Sequence, residues 1–280
     1  MKWKMLFAGF ITAGLMGCGV PEDQQQREQQ LTPPSAEVTP ATEVAETVGE
    51  AEQEIIGGAY AGQNQFPYMV RLMLDGRHVC GGTLINPNWV VTAAQCVAWQ
   101  DFRKIVVVAG DNILNTPEYT EQSKTILGFT THPDFVYARG LPLNDVAVIR
   151  LSSPLLFNFA VQPLALPSNP APLGYLTVSG WGHTAPNSGP SNRLKYANLP
   201  NNPVSACDGY MSRTVYAGSE LCVGHANGVA SACQNDSGDP LAGNGILRGI
   251  ASWGYGGTCN TFTVFTDVYS YISWIRSFTG

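Results

Sequence analysis

Charge is scarce in this chain. Only 13% of its 280 residues are Asp, Glu, Lys or Arg, against roughly 25% in an ordinary domain. No run of 18 or more apolar residues occurs, which excludes a membrane-spanning helix. A basic excess is missing too. The 15 Lys+Arg against 21 Asp+Glu leave a net charge of -6, so a nucleic-acid surface finds no support. No CxxC pair and no Cys/His cluster has the spacing of a zinc site. Histidine is limited to four residues. What is plentiful is Gly, at 30, and Pro, at 19, which together mark many turns.

The charge that exists is unevenly placed. Residues 19–54 hold nine acids and one base, Arg27, whereas residues 55–280 hold 12 acids and 12 bases. Three pieces follow: a leader (1–17), an acidic stretch (18–54) and a neutral domain (55–280). In the leader, Lys2 and Lys4 precede the apolar stretch Met5–Gly17, the pattern of a signal peptide. It ends in Leu15-Met16-Gly17-Cys18, which resembles the lipobox of bacterial lipoproteins. That resemblance implies lipidation of Cys18 and attachment to a membrane surface without spanning it, with ordinary secretory cleavage as the alternative. Residues 19–54 have no aromatic residue and too little apolar area to offset the entropy of ordering. They read as a disordered tether with a coil-like span of roughly 30–35 Å.

Seven cysteines are an odd number. With Cys18 set aside, Cys80, Cys96, Cys207, Cys222, Cys233 and Cys259 remain. Six cysteines in an exported domain argue for three disulfides, and spacing alone leaves the pairing open. The domain itself reads as all-β. Short apolar or alternating runs (68–74, 82–85, 89–92, 105–109, 146–151, 176–179, 246–252 and 263–268) are divided by Gly, Pro, Asn and Asp. Only the end is helical in pattern, with Val268, Tyr271, Ile272 and Ile275 at i, i+3, i+4 and i+7.

Seven segments carry a family resemblance. Ile55-Ile56-Gly57-Gly58, CGGTLINPNWVVTAAQC (80–96), NDVAVIRL (144–151), SGWG (179–182), CQNDSGDPL (233–241), SWG (252–254) and YISWI (271–275) are similar, in order and spacing, to the chymotrypsin/trypsin-like serine proteases. The resemblance implies two packed six-stranded antiparallel β-barrels with a C-terminal helix. It also implies the bridges Cys80–Cys96, Cys207–Cys222 and Cys233–Cys259.

That family cleaves peptide bonds with a nucleophilic Ser, a His that takes and returns the proton, and a buried Asp that orients the His. By resemblance Ser237 is the nucleophile, Asp145 the orienting acid and Ser252 the Ser beside that acid. The His position falls in VTAAQC and is Gln95. A carboxamide is not a base near neutral pH, so general base catalysis and leaving-group protonation both fail. The remaining histidines, His78, His132, His183 and His225, do not map beside Ser237. The oxyanion hole maps to the N–H groups of Asn235 and Ser237, with Asn235 and Asp239 standing where the family has Gly. Cleavage before Ile55 would free an amine to pair with Asp236. Glu54 precedes that bond, where Lys or Arg is usual, so either a Glu-preferring protease cuts there or the chain stays zymogen-like. The specificity pocket maps to Ser231, Gly254 and Thr263. It is uncharged and suits small or medium apolar side chains.

By the same resemblance, Asp111, Glu118 and Glu121 match the spacing of a calcium loop in trypsin relatives, the one cofactor the sequence suggests, with solvated surface acids as the alternative. The reading is therefore an exported, lipid-anchored protease homologue, inactive or very weak, that binds protein or peptide ligands in the old cleft. One rival is an active endopeptidase preferring small or medium apolar residues. Another is an envelope adhesin or scaffold that uses its loops.

Overall fold

The computed structural model describes residues 58–185, 188–228, 230–254, 259 and 261–280. The leader, Cys18, the acidic stretch, Glu54 and Ile55 lie outside the described residues. Among the described residues no helix is long and apolar enough to cross a membrane.

A two-residue strand, β1 (Ala59–Tyr60), comes first. The first barrel then uses β2 (Met69–Leu74), β3 (Arg77–Asn86), β4 (Trp89–Thr92), β5 (Ile105–Ala109) and β6 (Gln122–Thr131). A hairpin of β7 (Val136–Ala138) and β8 (Leu141–Leu143) follows, and β9 (Ala147–Leu151) completes the barrel. The closed order is β2-β3-β4-β9-β6-β5. Its interior is filled from every strand by Val70, Leu72, Leu84, Val90, Val107, Ile126 and Ile149. Closure removes the sheet edges that would otherwise invite aggregation.

The second barrel uses β10 (Gly174–Gly180), β11 (Lys195–Asn202), β12 (Glu220–Val223), β13 (Pro240–Gly243), β14 (Ile246–Gly254) and β15 (Thr263–Asp267). Neighbours run β11-β10-β13-β14-β15-β12, and β12 returns to β11 through Asn201↔Val223 and Asn202↔Cys222. The ring is closed, with β1 added outside on β11. Its core is Leu176, Val178, Leu199, Leu241 and Phe265. The two-barrel architecture and all three expected bridges, Cys80–Cys96, Cys207–Cys222 and Cys233–Cys259, are present. Three disulfides fit an exported protein.

The C-terminal segment begins as a 3-10 turn, Val268–Tyr271, and becomes α-helical only at α2 (Ile272–Thr279). Val268, Tyr271 and Ile275 are buried as the periodicity requires. They pack into the same cluster as the first barrel and Leu247 and Ile250 of β14, which ties the barrels together. Asp267 caps the turn by accepting from Tyr269 N at 3.2 Å.

Candidate active site

Four segments deliver the site. Gln95 sits in the one-turn helix α1 (Ala94–Val97), directly after β4. Asp145 follows β8 through Asn144, whose φ of 49° makes a left-handed turn. Ser237 lies in the loop before β13, and Ser252 lies in β14. The first barrel thus supplies Gln95 and Asp145, and the second supplies Ser237 and Ser252.

Asp145 is buried, at 2% exposure, and is held from several directions. One oxygen accepts from the Gln95 backbone N at 2.9 Å. The other accepts from Gln95 Nε2 at 2.6 Å and Ser252 Oγ at 2.7 Å. The second barrel grips the same loop. Thr266 Oγ1 donates to the Asp145 carbonyl at 2.9 Å, and Tyr271 OH donates to Asn144 Oδ1 at 2.8 Å. Neither Thr266 nor Tyr271 was legible as a site residue, because each acts across more than a hundred residues of sequence with no local motif. Burial pushes the Asp145 carboxyl up to about 6, although hydrogen bonds from Ser252 and Gln95 oppose it.

The second hydrogen of Gln95 Nε2 goes to the Ser252 carbonyl at 2.6 Å. Both donors of the carboxamide are therefore spent on acceptors, and this fixes which end of the group is nitrogen. Only Oε1 remains. An amide oxygen can accept a hydrogen bond from a hydroxyl, but it does not take the proton at neutral pH and has none to give. The Ser237 hydroxyl makes no hydrogen bond with Gln95 or any other described residue.

The other histidines are placed elsewhere. His78 packs edge-on to Trp181 at 6.0 Å, and burial with the nearby Arg71 pushes it down to about 4. His132 stacks between Tyr271 and Trp274 at 5.1 and 5.2 Å. His183 follows β10, and His225 lies in the turn after β12. None hydrogen-bonds Ser237 among the described residues.

Around Ser237 the backbone is well shaped. Asn235 adopts φ 69° and keeps its N–H. The N–H groups of Asn235 and Ser237 have no acceptor among the described residues, as donors waiting for an oxyanion require. Gly238 is obligatory at φ 87°, since a Cβ there would stand 2.3 Å from the Gly81 carbonyl. Asp236 is buried and accepts from Gly182 N at 2.8 Å and Cys233 N at 2.7 Å. Its expected partner, Ile55, lies outside the described residues.

Beside Ser237 opens a cavity of about 140 Å³, lined among others by Gln234, Ser252, Trp253, Gly254, Phe262 and Thr263. Gly254 and Thr263 are on its wall as expected. Ser231 is buried next to it, and its hydroxyl donates to the carbonyl of Cys259, which lines the cavity. Among the described lining residues the sole ionisable one is Asp236, already taken by two N–H groups. The Trp253 wall is braced from behind. Its Nε1 donates to Glu220 at 3.2 Å, and the Arg213 guanidinium, paired with Glu220, lies 4.3 Å over its ring.

The calcium spacing is not matched by a calcium donor set. The Arg71 guanidinium is paired with Asp111. Glu118 Oε2 accepts from the N–H groups of Asn112 and Ile113, and Glu121 Oε1 accepts from Glu118 N at 2.8 Å. Among the described residues no three metal-ligating side chains converge. The residues present do not fit a bound Ca²⁺.

Comparison with known proteins agrees with this geometry. The model of the trypsin family matches residues 55–275. The chain belongs to the trypsin family. It is 38% identical over 230 residues to the trypsin of Sus scrofa, covering 80% of this chain and 95% of that one. To serine protease 1 of Rattus norvegicus it is 37% identical over 231 residues, 81% of this chain and 90% of the relative. Chymotrypsin-like elastase family member 1 of Homo sapiens is 35% identical over 244 residues, 81% of this chain and 93% of the relative.

Proposed function

We propose that this trypsin-family chain has exchanged its catalytic base for Gln95. In this reading it binds a protein or peptide in its cleft and cleaves it very weakly or not at all. The observation that carries the reading is the double donation of Gln95 Nε2 to Asp145 and to the Ser252 carbonyl. It leaves a carboxamide locked where a proton carrier is needed. Removing the base of a Ser-His-Asp relay costs on the order of 10⁶ in turnover, and oxyanion and binding effects leave ~10³–10⁴ over water.

The ligand end of the proposal rests on the cavity. A pocket of about 140 Å³ beside Ser237, whose one described acid, Asp236, is already held by two N–H groups, takes a small or medium apolar side chain and offers little to Lys or Arg. A signal peptide, lipidation at Cys18 and a disordered acidic tether would present this domain at a bacterial envelope surface. Ordinary secretion is the alternative fate. Neither role calls for a metal or nucleic acid. The rival reading, an active endopeptidase of the same preference, is favoured by one observation: the N–H groups of Asn235 and Ser237 have no acceptor among the described residues.

Calorimetry with the tetrapeptide amide Ala-Ala-Pro-Val tests the proposal. The expected result is binding without cleavage, abolished by Gly254→Val. Among the described residues a Cβ at Gly254 meets nothing closer than the Phe262 carbonyl at 3.8 Å, so a valine placed on this wall narrows the pocket. Cleavage at an ordinary protease rate, or binding indifferent to Gly254→Val, would contradict the proposal.

A further inference from the structure

Ser237 stands between two acids, Asp236 before it and Asp239 two residues after it. Both are buried, at 1% and 0% exposure. Their surroundings differ. Asp236 receives the N–H groups of Gly182 and Cys233, whereas neither oxygen of Asp239 has a partner atom at ordinary hydrogen-bond geometry among the described residues. The Asp239 carboxyl fills room left by two glycines. A Cβ on Gly81 would lie 1.5 Å from its Oδ1, and one on Gly180 would lie 1.6 Å from its Oδ2. The same point above Gly180 is 2.7 Å from Asp236 Oδ1. The two carboxyls share one small, buried space.

Two ionised carboxylates cannot share such a space cheaply, because their repulsion is undiluted by water. A single proton resolves the conflict. It belongs on Asp239, the carboxyl without N–H donors, from where it can be donated to Asp236, the carboxylate that two N–H groups already stabilise. Among the described residues the nearby cations are engaged elsewhere: Lys195 of β11, in register with Gly180, lies 4.5 Å over the Tyr60 ring. Arg71 on β2 is paired with Asp111. His78 on β3, beside the Asn235 backbone, is kept neutral by burial and by Arg71. His183, after β10, acts on Asp236 only through its field. Gly81, Thr92, Gly180 and Ala251, which also adjoin the pair, carry no charge.

We propose that Asp236 and Asp239 form a carboxyl pair sharing one proton, held on Asp239, and that this proton fastens the Ser237 loop against the floor of the cleft. Burial and the negative neighbour raise the Asp239 carboxyl well above its ordinary value, in the direction the geometry requires. The loop is a tight turn pinned at both ends. Asp239 N donates to the Asp236 carbonyl at 3.0 Å and Gly238 N to the Ala251 carbonyl at 2.8 Å. Gly81 N donates to the Ser237 carbonyl at 3.0 Å and Ala251 N to the Asp239 carbonyl at 2.9 Å. When the proton leaves Asp239 for water, the hydrogen bond to Asp236 becomes a repulsion beneath these four bonds, and the loop loosens. The device depends on neither the ligand nor the activity assigned to the cleft.

The test uses the full chain and its Asp239→Asn variant, whose amide donates at every pH. Infrared spectra should show a buried protonated carboxyl in the wild type at neutral pH that is lost in Asp239→Asn. Hydrogen exchange of residues 233–239, corrected for intrinsic rates, should lose protection by up to about tenfold per pH unit as Asp239 ionises. Protection in Asp239→Asn should stay flat. Should the variant fail to fold, the titration of ¹³C-labelled aspartate carboxyls in the wild type reads the same proton. A wild type with no protonated carboxyl at neutral pH, or equal loss of protection in both proteins, would overturn the proposal.

Discussion

Gln95→His puts a base where the carboxamide now sits, and its effect follows from the contacts at that place. The site is ready for an imidazole. Asp145 already takes a donor from this side chain at 2.6 Å, while Ser252 Oγ and the Gln95 backbone N hold its remaining lone pairs. An imidazole N–H facing Asp145 would leave the second ring nitrogen toward Ser237. It would also give the buried Asp145 a cationic partner during turnover, which its present neutral neighbours do not supply. A fully competent relay is worth on the order of 10⁶ in turnover. A hole that lacks one effective donor takes back ~10²–10³. Asn235, at φ 69°, keeps its N–H but carries a side chain where the family has Gly, and Asp239 adds a second buried acid two residues after Ser237. The expected gain for Gln95→His alone is therefore about 10³–10⁴. A further gain of up to ~10²–10³ should come with Asn235→Gly and Asp239→Gly. The assay is hydrolysis of a peptide ester or anilide with Ala or Val before the scissile bond, after cleavage before Ile55. No gain in the folded triple variant would refute the reasoning, because every remaining part of the relay would then be in place.

The other predictions concern anchoring, protonation, the acidic loop and the inter-barrel grip. Metabolic palmitate should label the wild type and not Cys18→Ser; label on both would remove the lipid anchor. The Asp145 carboxyl, near 6 when folded and 3.8 when unfolded, loses its proton first in the unfolded chain. Stability should thus fall by about 3 kcal/mol as pH rises from about 4 to about 6, then level off. This contribution should be missing from the melting profile of Asp145→Asn. Millimolar Ca²⁺ should leave the melting temperature unchanged, since Arg71 and backbone N–H groups occupy the acidic loop; a clear rise would restore the calcium reading. Thr266→Val removes the donor to the Asp145 carbonyl and should cost about 1–3 kcal/mol by chemical denaturation.

Much of this molecule can be read from its sequence, and the exceptions share a cause. β2, β4, β5, β9 and β15 are apolar runs, and the pattern finds them within a residue or two. β6, QSKTILGFTT, is missed because one buried residue among ten leaves no alternation to see. β11, KYANLPNN, is missed because its inward positions include Lys195 and Asn201 and it contains Pro200. Such strands exist because barrel closure needs them, a condition outside any local window. At the site, Gln95, Asp145, Ser237, Gly254 and Thr263 are named by motif, and the fold brings them together. Ser231 is buried beside the pocket, bonded to the lining residue Cys259. The burial of Asp239, the grip of Thr266 and the Arg71–Asp111 pair are long-range facts with no trace in the motifs.

The central claim, that Gln95 leaves Ser237 without a base, is tested most directly by a fluorophosphonate probe on the wild-type domain cut before Ile55. Attack on the probe requires an activated serine and nothing of the leaving-group chemistry or of substrate preference. The account predicts labelling of Ser237 slower by several orders of magnitude than in an ordinary serine protease, and restored in Gln95→His. Rapid labelling of Ser237 in the wild type would contradict it, because a working base would then exist that neither Gln95 nor any of the four histidines provides.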